Sequence, residues 1–144
     1  MAVAVCAELC ETATRVYQHL SDGDLDKASS YLSDDVEWHD FAFDVTFHSA
    51  EEMRPSMEEF TKSFSDFRIE VTNLVEGDES VAVEYTIRGT HTGPMTTPQG
   101  EIPATGRSVE LHCCDVLHFD SQGKIDRANS YYDTSELGRQ LGMA

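Results

Sequence analysis

"FRIEVTNLVEGDESVAVEYTIRGTH", residues 67–91, alternates apolar and polar side chains with a period of two on either side of the acidic turn "EGDES", residues 76–80. Such a pattern predicts two long antiparallel strands. On the second of them Val81, Val83, Tyr85, Ile87 and His91 share one face, opposite Glu84, Thr86, Arg88 and Thr90. Downstream the same period returns in "RSVELHCCDVLHF", residues 107–119, and in "KIDRANSYY", residues 124–132, joined through "DSQG". A second hairpin is expected there. Between the two hairpins, "TGPMTTPQGEIPATG", residues 92–106, carries three of the four prolines and reads as a long loop, a lid or an ornament.

Upstream the period is helical. Val5, Leu9, Thr12, Ala13, Val16 and Leu20 fall on one face of a first helix over residues 2–20, which "SDGD" ends. Asp24 would cap a short second helix that turns Leu25, Ala28 and Leu32 inward. "DDVEWHDF", residues 34–41, alternates as a strand with Val36, Trp38 and Asp40 on the apolar side. Ser49, followed by Glu51 and Glu52, would start a third helix presenting Met53, Met57, Phe60 and Phe64, and Asp133 would cap a closing helix, "TSELGRQLG". Helices first and strands after them make an α+β pattern, with the helices on one face of a curved sheet and a cavity between.

A chain of 144 residues, 40% of them hydrophobic, is the size of one domain, and 1–144 is read as a single unit. With 27 acidic against 10 basic side chains, the net charge of -17 excludes nucleic acid and anionic membrane surfaces as expected partners. No run of eighteen apolar residues occurs, and Glu8 and Glu11 break the N-terminal apolar stretch. The expectation is a cytoplasmic protein with reduced thiols. Cys6 and Cys10 would share a helix face, whereas the adjacent Cys113 and Cys114 must point to opposite sides of a strand. Without a CxxC pair no metal site is expected, and without a Gly-rich phosphate loop, HExxH or GxSxG no cofactor, nucleotide or serine-hydrolase chemistry.

Two carboxylates stand out. Asp40 and Asp115 each interrupt the apolar face of a strand, where a charged group needs a partner or a raised pKa. One reading gives each a salt bridge or a backbone hydrogen bond; the other places both in one cavity as base and acid. His112 and His118 fall opposite Asp115, and His91 falls on the apolar side at a strand end, where a pocket mouth would be. Tyr17, Tyr85, Tyr131 and Tyr132 read first as core aromatics with a polar handle.

The ordered set "DGDLDKASSYLSDDVEWHD", "RGTHTG", "TGR", "GKI", "YYD" and "RQLG" resembles the SnoaL-like polyketide cyclases and the ketosteroid isomerase-like branch of the nuclear transport factor 2-like superfamily. The resemblance covers nearly the whole chain. It implies a cone-shaped, curved mixed or antiparallel half-barrel wrapped around N-terminal helices, a central apolar pocket for a small apolar molecule, and a homodimer. Asp40 is similar in position to the base of the isomerases, and Asp115 to their protonated oxyanion-hole aspartate. Their hole tyrosine corresponds to Val16, one step from Tyr17. The aspartate of SnoaL-type cyclases and limonene epoxide hydrolases that precedes "YYD" is here Ser130.

Three functions follow as expectations. The first is an isomerase or cyclase that transfers a proton α to a carbonyl, with Asp40 and Asp115 catalytic and Tyr17, Trp38, Tyr85, His91 and Ser130 contacting substrate. The second is a non-catalytic pocket or dimerisation domain. The third is an epoxide hydrolase.

Overall fold

The computed structural model describes residues 2–97 and 100–143, with side chains from Glu8 onward. The expected helices and long strands are present, with short strands added: helices α1 (Ala2–Ser21), α2 (Leu25–Ser29), α3 (Ala50–Ser63) and α4 (Thr134–Gln140), and strands β1 (Leu32–Asp40), β2 (Val45–Phe47), β3 (Phe64–Glu76), β4 (Ser80–His91), β5 (Met95–Thr97), β6 (Gly100–Ile102), β7 (Ser108–Phe119) and β8 (Ile125–Tyr132). Three helices start where a capping side chain was expected. Asp24 accepts from the Lys27 N–H, Ser49 from Glu52 and Asp133 from Ser135. Each such cap contributes about 1 kcal/mol by satisfying an otherwise orphaned donor.

Six strands form a curled, unclosed mixed sheet in the order β2-β1-β8-β7-β4-β3. All neighbours pair antiparallel except β1 and β8, which run parallel. Strand β8 therefore sits between β1 and β7, and its pairing with β1 joins residues about ninety positions apart in the chain. Register shifts in β3 between Ser65 and Arg68 and between Val71 and Asn73, with Asp66 at φ 55°, bend the strand that borders the helices. The expected inner faces are buried: Leu9, Ala13 and Val16 on α1, Val81 and Val83 on β4, and Val109, Leu111 and Leu117 on β7.

Two expectations need correction. The stretch 92–106 is more than loop, because β5 and β6 pair as a small separate hairpin whose Met95 is buried. Its base is pinned: Thr92 and Gly93 donate to the Ser63 carbonyl, and the Ser63 hydroxyl donates to the Pro94 carbonyl. Gly93 is required there, since a Cβ would lie 2.8 Å from the Lys62 carbonyl oxygen. The third helix stops at Ser63, and Phe64 opens β3 instead of closing the helix. Side chains of Val5 and Cys6 lie outside the described residues.

Candidate active site

Strand pairing sets the site. Asp40 on β1 and Asp115 on β7 both pair with Ser130 on β8, so three adjacent strands carry Asp40, Ser130 and Asp115 in one row across the sheet. Two strand spacings of ~4.8 Å separate the outer members by about 10 Å of backbone. The adjacent same-face row holds Tyr85, Cys113 and Tyr132. All six face a cavity of ≈ 510 Å³ between the sheet and the helices, a size that holds a drug-sized molecule. Its remaining wall is mostly apolar, with Met53, Met57 and Phe60 from α3, Phe67 and Ile69 from β3, and Met95 from the small hairpin.

Asp115 is 1% exposed. The Tyr17 hydroxyl donates to its Oδ2 and the Tyr85 hydroxyl to its Oδ1 at 3.1 Å, with Ser130 beside it on the neighbouring strand. Ser130 is itself fixed by the Trp38 indole N–H, which donates to its Oγ at 2.8 Å. Burial pushes the Asp115 carboxyl up to about 6; the hydroxyls of Tyr17, Ser130 and Tyr85 hold it down from a higher value, and the Asp40 charge adds to the rise. Burial, followed by the Asp115 charge, drives the Tyr17 and Tyr85 phenols far upward, so both remain donors. Cys113, two residues along the same face, is also pushed up by burial and by Asp115, which makes it a poor nucleophile.

Asp40 is half-buried at the edge of the row. The Phe43 backbone N–H donates to its Oδ1 at 3.1 Å and the Tyr132 hydroxyl to its Oδ2 at 2.7 Å. The turn after β1 brings this about: Phe41 N–H donates to the Ser130 carbonyl at 3.0 Å, Asp44 takes φ 54°, and Phe43 folds back with its ring 6.0 Å from Tyr132. Burial raises the Tyr132 phenol as well, so it too stays protonated.

The structure thus brings Asp40, Asp115, Tyr17, Trp38, Tyr85 and Ser130 to one cavity. Val16 and Tyr17 both line it, because the inner face of α1 is wide enough to include two successive residues. His91 is elsewhere. It is fully buried outside the cavity wall, its ring 5.5 Å from Phe64, and its Nδ1 accepts from the Thr105 N–H at 3.2 Å. His91 therefore ties down the end of the small hairpin's loop, and burial lowers its pKa. His112 and His118 point away from Asp115, toward Glu136 and Glu110 and toward Asp126 and Glu79. Tyr132, expected as a core aromatic, lines the cavity as well. The signal was available: it shares the strand face of Ser130, two residues before it.

The fold and cavity define an α+β protein of the ketosteroid isomerase-like fold. The family model of the SnoaL-like polyketide cyclases matches residues 11–141, and the chain belongs to that family. Among solved structures it is similar to AclR from Streptomyces galilaeus, a candidate hydroxylase, at 24% identity over 96% of this chain and 98% of that one, with a TM-score of 0.82. A protein of ketosteroid isomerase-like fold from Catenulispora acidiphila, in complex with trimethylamine, is 15% identical over 93% of this chain and 94% of its own, with a TM-score of 0.75. TerC, co-crystallised with polyporic acid, is 16% identical over 94% and 98%, with a TM-score of 0.71. At these identities the likeness is one of fold. No curated protein matches the chain. No helix among the described residues is long and apolar enough to cross a membrane.

Proposed function

We propose that the chain is an enzyme of the isomerase or cyclase kind, moving a proton at the carbon α to a carbonyl of a small, largely apolar molecule. The row of Asp40, Ser130 and Asp115 facing one apolar cavity supports this reading most directly. Asp40, held by a backbone N–H and a phenol but half-open, is the base that takes the proton. Asp115 lies in the dry end among Tyr17 and Tyr85. A substrate filling the cavity expels water and disfavours the charged carboxylate further, so Asp115 takes up a proton. One of its hydroxyl partners is then released toward the developing enolate oxygen. Asp40 returns its proton to a second carbon and completes the shift.

The test is conversion of a β,γ-unsaturated ketone by wild type and Asp40→Asn across pH. A large loss in the variant is expected; equal rates would sink the reading. One observation favours the alternative of a non-catalytic small-ligand binder: both oxygens of each aspartate already accept hydrogen bonds from the protein. Equal rates together with retained ligand binding would leave that alternative standing. The homodimer implied by the family is a separate proposal. It is supported by exposed Val116 and by the stacked, exposed Phe41 and Tyr131 rings, 5.0 Å apart, and is tested by sedimentation.

A further inference from the structure

The charges around the cavity do not balance. Among the described residues its lining carries Asp40, Asp115 and Glu59 against one cation, Arg54. Arg54 sits where the cavity meets the surface, hydrogen-bonded to Asp26 and 3.7 Å from Glu58. Those two exposed acids answer its charge, so it supplies no counter-charge to the interior. At the sheet wall two carboxylates face the same space with only neutral donors around them: Tyr17 from α1, Tyr85 from β4, Ser130 and Tyr132 from β8, and the Cys113 thiol beside Asp115 on β7. The chain as a whole, at -17, adds a negative potential.

The half-open carboxylate stands among aromatic faces. Trp38 lies two residues before Asp40 on the same strand face, while the Phe43 and Tyr132 rings meet edge to face beside it. Each oxygen of Asp40 accepts one protein hydrogen bond, and a carboxylate offers about four acceptor positions, which leaves room for a further partner. Rings with a carboxylate at their edge form an environment that receives a desolvated cation.

We propose that the cavity selects ligands that carry a positively charged nitrogen, a protonated amine or quaternary ammonium, on an apolar ring frame, with Asp40 as counter-ion and Trp38, Phe43 and Tyr132 as the surrounding faces. This deepens the reading above by naming a substrate class, and its binding half stands without that reading. An enolate forming at the sheet wall meets only neutral donors, with no cation but the outward-paired Arg54 among the described lining residues. A substrate bearing its own cationic nitrogen brings the missing charge, and when Asp40 accepts the carbon-bound proton the product of that step is a zwitterion beside a neutral acid.

The experiment compares three probes by calorimetry on the full chain: (2-naphthylmethyl)trimethylammonium, its uncharged isostere 2-neopentylnaphthalene, and 2-naphthylacetate. At pH 7.5 the ammonium should bind about 10-fold or more tighter than the neutral isostere, and the carboxylate weakest. Asp40→Asn should erase that advantage while still binding the isostere, which also shows that the variant is folded. At pH 6.5, in buffers of different ionisation enthalpy, the isostere should take up protons as Asp115 is desolvated, and the ammonium should take up fewer. Equal affinity for ammonium and isostere, tighter binding of the carboxylate, or an ammonium preference that survives Asp40→Asn would each overturn the proposal. Turnover is not involved. An ammonium preference alongside equal ketone conversion by wild type and Asp40→Asn would remove the enzyme reading and leave this one intact.

Discussion

Asp40 and Asp115 share a row, a cavity and a residue type, yet their surroundings differ at every other point. Asp115 is sealed in the middle of the sheet under the Tyr17 and Tyr85 hydroxyls, from two different elements, and its carboxyl is pushed up to about 6. Asp40 lies one strand from the sheet edge and is held by the turn that follows it and by one phenol. The difference shows how one fold separates two identical groups: position along the row sets desolvation, and the neighbouring strand faces set the donors.

The largest effect expected from that comparison is catalytic. Asp40→Asn should lower turnover of a β,γ-unsaturated ketone by about 10²- to 10⁴-fold, with the melting temperature little changed, because a general base contributes on that scale. Steady-state rates and a thermal melt on the same sample check both halves. The second effect concerns pH and stability. Folding raises the Asp115 carboxyl from 3.8 to about 6, so the folded chain holds this proton more tightly than the unfolded one. Its contribution to stability is full below about pH 4 and is lost as pH rises through about 6, a change on the order of 3 kcal/mol. Urea titrations at pH 4, 5, 6 and 7 should show wild type losing that stability relative to Asp115→Asn; parallel curves would mean that burial does not raise the Asp115 carboxyl.

Third in size is the contrast between phenols. Tyr17→Phe leaves a fully buried acceptor short of a donor and should cost about 1–3 kcal/mol. Tyr132→Phe should cost less, since water can replace its hydroxyl at half-buried Asp40. Equal losses in chemical denaturation would erase the distinction between the two ends. Last comes Ser130→Ala, expected at about 1–2 kcal/mol, because it leaves the buried Trp38 indole N–H without its acceptor.

Much of this was legible from residue order. Alternation in residues 67–91 and 107–132 located the long strands, and Asp24, Ser49 and Asp133 announced helix starts because capping needs only a side chain three residues or fewer from its donor. The apolar-face test also found both carboxylates. What escaped depends on contacts between distant segments. Nothing local in "DDVEWHD" says that β1 will run parallel to β8, so the central place of Ser130 could not be read. The hairpin inside residues 92–106 is held by Ser63 at the end of α3, a tether that Pro-rich composition conceals. His91 shows the limit of parity: it lies on the inward face of β4, but past the end of the cavity, where it closes a loop. Tyr132 needed only the same parity argument applied one turn of the pleat beyond Ser130.

The insertion of β8 between β1 and β7 carries a consequence for how the molecule comes into being. Strands β3, β4 and β7 can pair as consecutive hairpins, while β1 has no central neighbour until the chain has been made as far as Tyr132. Closing that long loop delays the contact, since distant pairings form only after their entropy cost is met. The row that joins Asp40 to Asp115 is therefore among the last parts of the protein to exist, and a chain released before residue 132 has two acidic strands and no site.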